Sequence, residues 1–263
     1  MNDSNTSLPS RRDFLKTSAL IGGALAAPGI LPQPLLGATS PGTLRVGLIG
    51  CGGRGTGAAN QALRADPNVV LTALGDVFEE QVQKSLQSLQ RELPDKVKVT
   101  PDKCFVGLDA YQKVIDSGVD VVLLAAPPGF RPEHLKAAVA AGKHVFCEKP
   151  VATDAAGIRS VLETVKAARE KSLALVAGFC WRYEAARREF YQRIHEGAIG
   201  AIRAIYATYY AGPVKPMPPA SQRTAGMTDL EWQLRHWYNF VWLSGDGYVE
   251  QACHSVDKVA WAM

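Results

Sequence analysis

The chain has 263 residues, 47% hydrophobic and 21% charged, with a formal net charge of +4. Setting aside Arg11, Arg12 and Lys16 against Asp3 and Asp13 lowers that charge to +3, and no basic block or aromatic-basic repeat marks a nucleic-acid partner. The composition is that of an ordinary globular protein, which excludes disordered, collagenous and membrane-embedded classes.

The first segment, residues 1–40, reads as a leader and linker. Ser10-Arg11-Arg12-Asp13-Phe14-Leu15-Lys16 has the pattern of a twin-arginine export signal, followed by the apolar Ala19–Ala27 and the Pro/Gly-rich Pro28–Pro41. The apolar stretch is far shorter than the ~20 residues of a membrane-spanning helix, so no stable span is expected. Cleavage fits Ala24-Leu25-Ala26 or Gly37-Ala38. The expected partner is the twin-arginine translocation machinery, and the expected location is the periplasm or beyond. Such export moves folded protein, so a cofactor would be loaded beforehand and then retained.

Residues 41–180 alternate strands and helices. Leu44–Ile49 is an apolar strand, and Gly50-Cys51-Gly52-Gly53-Arg54-Gly55 follows it directly. Helix Ala58–Ala65, strand Val69–Leu74 and Gly75-Asp76 come next. A Gly-x-Gly-x-x-Gly between strand and helix, with an acid about 20 residues on, points to a dinucleotide. The glycines admit the pyrophosphate, the helix N-terminus stabilises its charge, and Asp76 accepts from the ribose hydroxyls. A carboxylate there repels a 2′-phosphate, which favours NAD over NADP. Further helices are expected at Phe78–Glu92, Asp109–Asp116, Pro132–Ala141 and Thr153–Lys171, with strands at Val119–Ala125, Lys143–Cys147 and Leu173–Gly178. The implied fold is a doubly wound parallel sheet of Rossmann type, with Gly50, Asp76, Ala126, Pro127 and Glu148 at its ligand-binding edge. The five cysteines (Cys51, Cys104, Cys147, Cys180 and Cys253) have no Cys-x-x-Cys spacing and are expected to be buried thiols.

Residues 181–263 read as a second, α+β domain. Helix Glu184–Glu196 precedes a β-rich stretch, Ile202–Tyr210, and the Pro/Gly-rich Gly212–Gly226. Tyr248–Met263 has helical periodicity, with Val249, Cys253, Val256 and Ala260 on one stripe and Glu250, His254 and Asp257 at i, i+4 and i+7 beside it. Histidine accepts a hydroxyl proton near neutral pH while hydride leaves the same carbon. Lys149, in Glu148-Lys149-Pro150, sits where it can stabilise the alkoxide or relay the proton. Which of Lys149 and His254 is the base stays open. A metal held by Glu250, His254 and Asp257 is the weaker reading, and no metal is expected. Arg182 is placed to meet cofactor phosphate or substrate. The cluster Trp232, Trp237, Tyr238 and Trp242 suits either sugar recognition or a core.

From about residue 44 onward the chain resembles the glucose–fructose oxidoreductase / inositol dehydrogenase / MocA family. The resemblance rests on Gly50–Gly55, Asp76, Ala126-Pro127 with His134, Glu148-Lys149-Pro150, Trp181-Arg182-Tyr183 and His254-Ser255-Val256-Asp257. The leader and Trp242-Leu243-Ser244-Gly245-Asp246-Gly247 look like an exported branch. The resemblance implies catalytic roles for Lys149 and His254, substrate contacts from Glu250, Asp257 and Arg182, and cofactor contacts from Gly50, Cys51, Gly52, Gly53, Arg54, Gly55, Asp76, Ala126, Pro127 and Glu148. The family commonly has aspartate at the position of Glu250, so the longer side chain marks a different substrate geometry. It also implies a second domain with a large, mostly antiparallel sheet. Only about 80 residues remain for that domain, which predicts an incomplete sheet and a fragment or early-terminated product, since a sheet cut so short exposes its edges. The leading function is an NAD(P)-dependent oxidoreductase acting on a sugar, polyol or glycoside hydroxyl with a tightly held cofactor. The alternatives are an NAD-dependent glycosidase working by transient oxidation and elimination, and a non-catalytic nucleotide-binding protein. The substrate would be a small carbohydrate, and a full-length form is compatible with a homo-oligomer.

Overall fold

Six strands alternate with five helices over the first two thirds of the structure. They are β1 (Leu44–Ile49), α1 (Gly53–Ala65), β2 (Val69–Asp76), α2 (Glu79–Glu92), β3 (Cys104–Val106), α3 (Ala110–Asp116), β4 (Val121–Leu124), α4 (Arg131–Ala140), β5 (His144–Cys147), α5 (Ala155–Glu170) and β6 (Leu175–Ala177). The computed structural model describes residues 42–263, so the twin-arginine reading lies outside the described residues. The strands pair in the order β3-β2-β1-β4-β5-β6, every pair parallel. From β1 the chain builds outward one way through β2 and β3, then returns to build the other way through β4. At that reversal, neighbouring loops diverge and leave a crevice at the strands' carboxyl ends.

The apolar runs explain the layering. Along β4, Val122 and Leu124 face a core shared with Val114, Leu135 and Val161 of α3, α4 and α5. The intervening Leu123 faces a second core with Leu63, Val82 and Leu89 of α1 and α2. A strand covered on both faces needs apolar side chains at successive positions, and this one has them. Helix α5 starts where Asp154 accepts the Gly157 N–H at 2.6 Å, a side-chain cap that satisfies one of the helix's free donors.

After β6 the chain forms a 3₁₀ turn (Cys180–Tyr183), α6 (Ala185–His195), α7 (Asp229–Arg235), the short α8 (Val241–Ser244), a π turn (Tyr248–Ala252) and α9 (Cys253–Ala262). Residues 43–263 form one compact unit. Among the described residues, no helix is long and apolar enough to cross a membrane.

Three expectations are corrected here. The expected β-rich stretch, residues 202–210, carries no strand, and all strand pairing among the described residues is parallel. Alternation alone does not make a strand without a partner, and Tyr206 and Tyr210 are 89% and 90% exposed. The stretch from Tyr248 is not one continuous α-helix. Its π turn adds a residue to the first coil and shifts the phase, so Val256 of the expected apolar stripe is half-exposed while His254 and Ser255 are buried. The cysteines are free, but only Cys51 and Cys147 are buried; Cys180 is exposed.

Candidate functional site

The glycine loop closes β1 onto α1. Gly50 has φ +93°, and a Cβ there would lie 2.4 Å from the Ala126 amide nitrogen. At Gly55 a Cβ would stand 1.8 Å from the Gly50 carbonyl oxygen. Neither position accepts a side chain without moving backbone. Around Gly52 and Gly53, by contrast, a Cβ meets nothing within 4 Å. Helix α1 has no side-chain cap, so the N–H groups of its first turn are left for an anion above the loop. Across the loop, Asp76 ends β2. Its carboxylate accepts the Cys51 N–H at 2.7 Å and the Phe78 N–H at 3.0 Å. Burial raises the Asp76 pKa above the ordinary carboxylate value, and these backbone donors oppose the rise.

A cavity of about 410 Å³ runs along this edge, lined by Gly50, Gly52, Asp76, Phe78, Ala126 and Pro127 among others. Open cradle, uncapped helix end and anchored acid together fit a dinucleotide lying with its pyrophosphate on the loop and a ribose at Asp76.

At the other end of the edge, buried Arg131 of α4 fixes the loops. Its guanidinium donates to the carbonyls of Ala126 at 3.0 Å, Glu148 at 3.1 Å and Pro150 at 2.6 Å. It thereby ties the loop after β4 to the loop after β5, which contains the cis Lys149–Pro150 peptide. From there Lys149 Nζ donates to Glu250 Oε1 at 3.0 Å and to the Glu250 carbonyl. Glu250 is buried and also accepts from Gln251, whose amide oxygen accepts the Tyr209 hydroxyl at 2.8 Å. His254 is buried one turn further on, its ring 4.6 Å from that of Trp181 and edge-on to Phe179. Burial, and then the Lys149 charge, lower its pKa below the ordinary 6.5, so the imidazole is neutral at neutral pH.

The sequence-predicted residues therefore fall into three groups. Gly50, Cys51, Gly52, Gly53, Gly55, Asp76, Ala126 and Pro127 form or flank the groove. Arg54 reaches from the loop to Glu148, with Nε 2.9 Å from Oε1, and so bridges the ends of β1 and β5. Lys149, Glu250 and His254 gather around the π turn. Arg182 and Asp257 are spent on each other in a bidentate pair at 2.8–3.0 Å, with the guanidinium 5.2 Å from the Trp261 ring centroid. Sequence reasoning missed Arg131 and Tyr209, and read Tyr238 only as a member of the aromatic cluster. The Tyr238 hydroxyl is buried without a hydrogen-bond partner, and burial followed by the Glu250 charge pushes its pKa up to about 12. No local pattern announces a buried arginine whose partners are backbone carbonyls on two loops, 5, 17 and 19 residues away.

Residues 44–179 match the profile described as an oxidoreductase family with an NAD-binding Rossmann fold, Gfo/Idh/MocA. The chain belongs to that family. It is 26% identical over 84% of its length to a myo-inositol 2-dehydrogenase from Thermotoga maritima, covering 55% of that protein. It is 29% identical over 66% of its length to the dTDP-3,4-didehydro-2,6-dideoxy-alpha-D-glucose 3-reductase of Actinomadura kijaniata, covering 47% of it. Among solved structures, an oxidoreductase domain protein from Kribbella flavida superposes with a TM-score of 0.65 at 23% identity, over 84% of this chain and 54% of that one. The WlbA dehydrogenase of Bordetella pertussis, solved with NADH and UDP-GlcNAcA, gives 0.60 at 22% identity, over 84% and 56%. These two likenesses bear on the fold alone. The chain spans about half the length of the curated relatives it matches.

Proposed function

We propose that this protein is an NAD-dependent oxidoreductase that oxidises a hydroxyl of a sugar or polyol, with Lys149 and His254 managing the proton. The observation that carries the reading is the Lys149–Glu250 contact, which brings the end of β5 against the segment bearing His254. Names among the relatives, inositol dehydrogenase and deoxysugar reductase, support a polyhydroxylated substrate. NAD is favoured over NADP because Asp76 keeps a carboxylate where a 2′-phosphate would sit.

A bound nicotinamide supplies the hydride acceptor. His254, neutral and buried, takes the hydroxyl proton. Lys149, oriented by Glu250, stabilises negative charge developing on the substrate oxygen. Glu250 holds the ammonium from both its carboxylate and its carbonyl, so the lysine's position is set before substrate arrives. Aromatic rings around His254 limit water near the proton acceptor. The Ser10–Lys16 motif supports export in the folded state through the twin-arginine pathway, with the cofactor carried inside.

The test is a panel of inositols, hexoses and glycosides with NAD, read at 340 nm alongside release of a chromogenic aglycone. NADH formation on a polyol supports the reading. Aglycone release without NADH would move the assignment to a redox-neutral glycosidase, and NAD binding without any turnover would leave a nucleotide-binding protein.

A further inference from the structure

The dinucleotide groove has an outer wall that the family profile, matched over residues 44–179, does not include. Leu234, Arg235 and Trp237 line the same cavity as Gly50 and Asp76, and they come from α7 and the turn after it. Arg235 is the centre of that wall. Its guanidinium lies 4.0 Å from the centroid of the Phe78 ring, two residues beyond Asp76. Glu80 of α2 accepts from one of its terminal nitrogens at 2.5 Å, and Glu231 of α7 accepts from Nε at 2.9 Å. Leu234 is buried beside it. Thr228 caps α7 by accepting the Glu231 N–H at 3.1 Å, which fixes the helix that presents the pair.

With the ribose at Asp76, the next group along the groove is the adenine. It meets the Phe78–Arg235 stack that closes that end, since a guanidinium 4.0 Å from the Phe78 centroid leaves no room for a base between the two. A planar guanidinium locked by two carboxylates suits the flat, electron-rich face of a purine, and its charge is already neutralised, so it asks for no phosphate. The geometry points to α7 as part of the cofactor site: Arg235, held on Phe78 by Glu80 and Glu231, closes the adenosine end of the groove and slows release of the nucleotide. This rests on the reading that the groove holds NAD.

The experiment measures dissociation of NADH and of ADP-ribose from the full chain, by stopped-flow displacement, for wild type, Arg235→Ala, Arg235→Lys and Gly50→Val. Trp237→Phe is added to follow tryptophan-to-NADH energy transfer. Arg235→Ala is expected to speed release of both ligands roughly tenfold, and Arg235→Lys by nearly as much, because lysine keeps the charge and loses the plane. Trp237→Phe is expected to reduce the energy transfer. Thermal melts identify any variant that fails to fold, and Arg235→Lys then carries the test. Unchanged release from both Arg235 variants, with wild-type binding abolished by Gly50→Val, overturns the wall while leaving the NAD reading intact. A wild-type chain that binds neither ligand overturns both.

Discussion

At the residue scale, the fold sets the charges around the proposed site. Burial and the Lys149 charge hold the His254 pKa below 6.5, and Glu250 acts in the opposite direction. If His254 is the base, the acid limb of kcat/KM lies below pH 6.5. Lys149→Met should move that limb upward and Glu250→Gln should move it downward, while Lys149→Met also lowers kcat by roughly 10²–10⁴. A limb that stays fixed in both variants would take the proton away from His254. Glu250→Asp tests the positioning role: shortening the carboxylate by one methylene should lower kcat more than it raises KM. His134 illustrates the same physics without a catalytic role. It is buried between Tyr111 and Phe130, and burial, followed by the Arg131 charge, lowers its pKa to about 4. The unfolded chain binds that proton near pH 6.5, so the stabilisation is complete above 6.5 and falls away as pH drops toward 4. The loss amounts to roughly 3 kcal/mol. Urea titrations across this window should show the slope, and His134→Phe should flatten it.

Elements were legible in the sequence wherever local pattern and burial agree. The apolar run at β4 and the strand–glycine–helix signal at Gly50 both carry their cause in neighbouring residues. Helix α1 starts five residues before the expected Ala58, inside the glycine loop, because Gly53, Arg54 and Gly55 are already helical. Strand β3 went unread, since three residues joined to β2 by backbone bonds give no periodicity of their own. The π turn was equally silent. It is what separates Glu250, which reaches Lys149, from Asp257, which reaches Arg182, although both were expected on one face with His254. Docking between elements is as tight as packing within them. A Cβ on Gly129, ahead of α4, would stand 2.4 Å from the Trp242 carbonyl of α8. Gly129→Ala must push α8 away, and a loss of about 1–3 kcal/mol in a chemical melt is expected. A neutral outcome would mean that α8 is not seated there.

For the molecule as a whole, the parallel sheet places every groove residue at one edge, and the segment after β6 returns to that edge twice. It arrives first with α7 beside Phe78 and again with the π turn beside Lys149. The first return was not legible, because Arg235 carries no motif and its partners Phe78 and Glu80 lie more than 150 residues away. The second was legible only through the pairing of Glu148-Lys149-Pro150 with His254, and only as chemistry; the contact itself depends on a turn that no periodicity predicted. The claim on which the rest depends is that the crevice between β1 and β4 holds a nicotinamide dinucleotide. Calorimetric titration of the 263-residue chain with NADH, after heat release and mass analysis of any nucleotide that co-purifies, tests it most directly. The expected result is about one equivalent bound per chain, with Asp76→Ala weakening NADH at least tenfold. A chain that releases no nucleotide and takes up no NADH would contradict it.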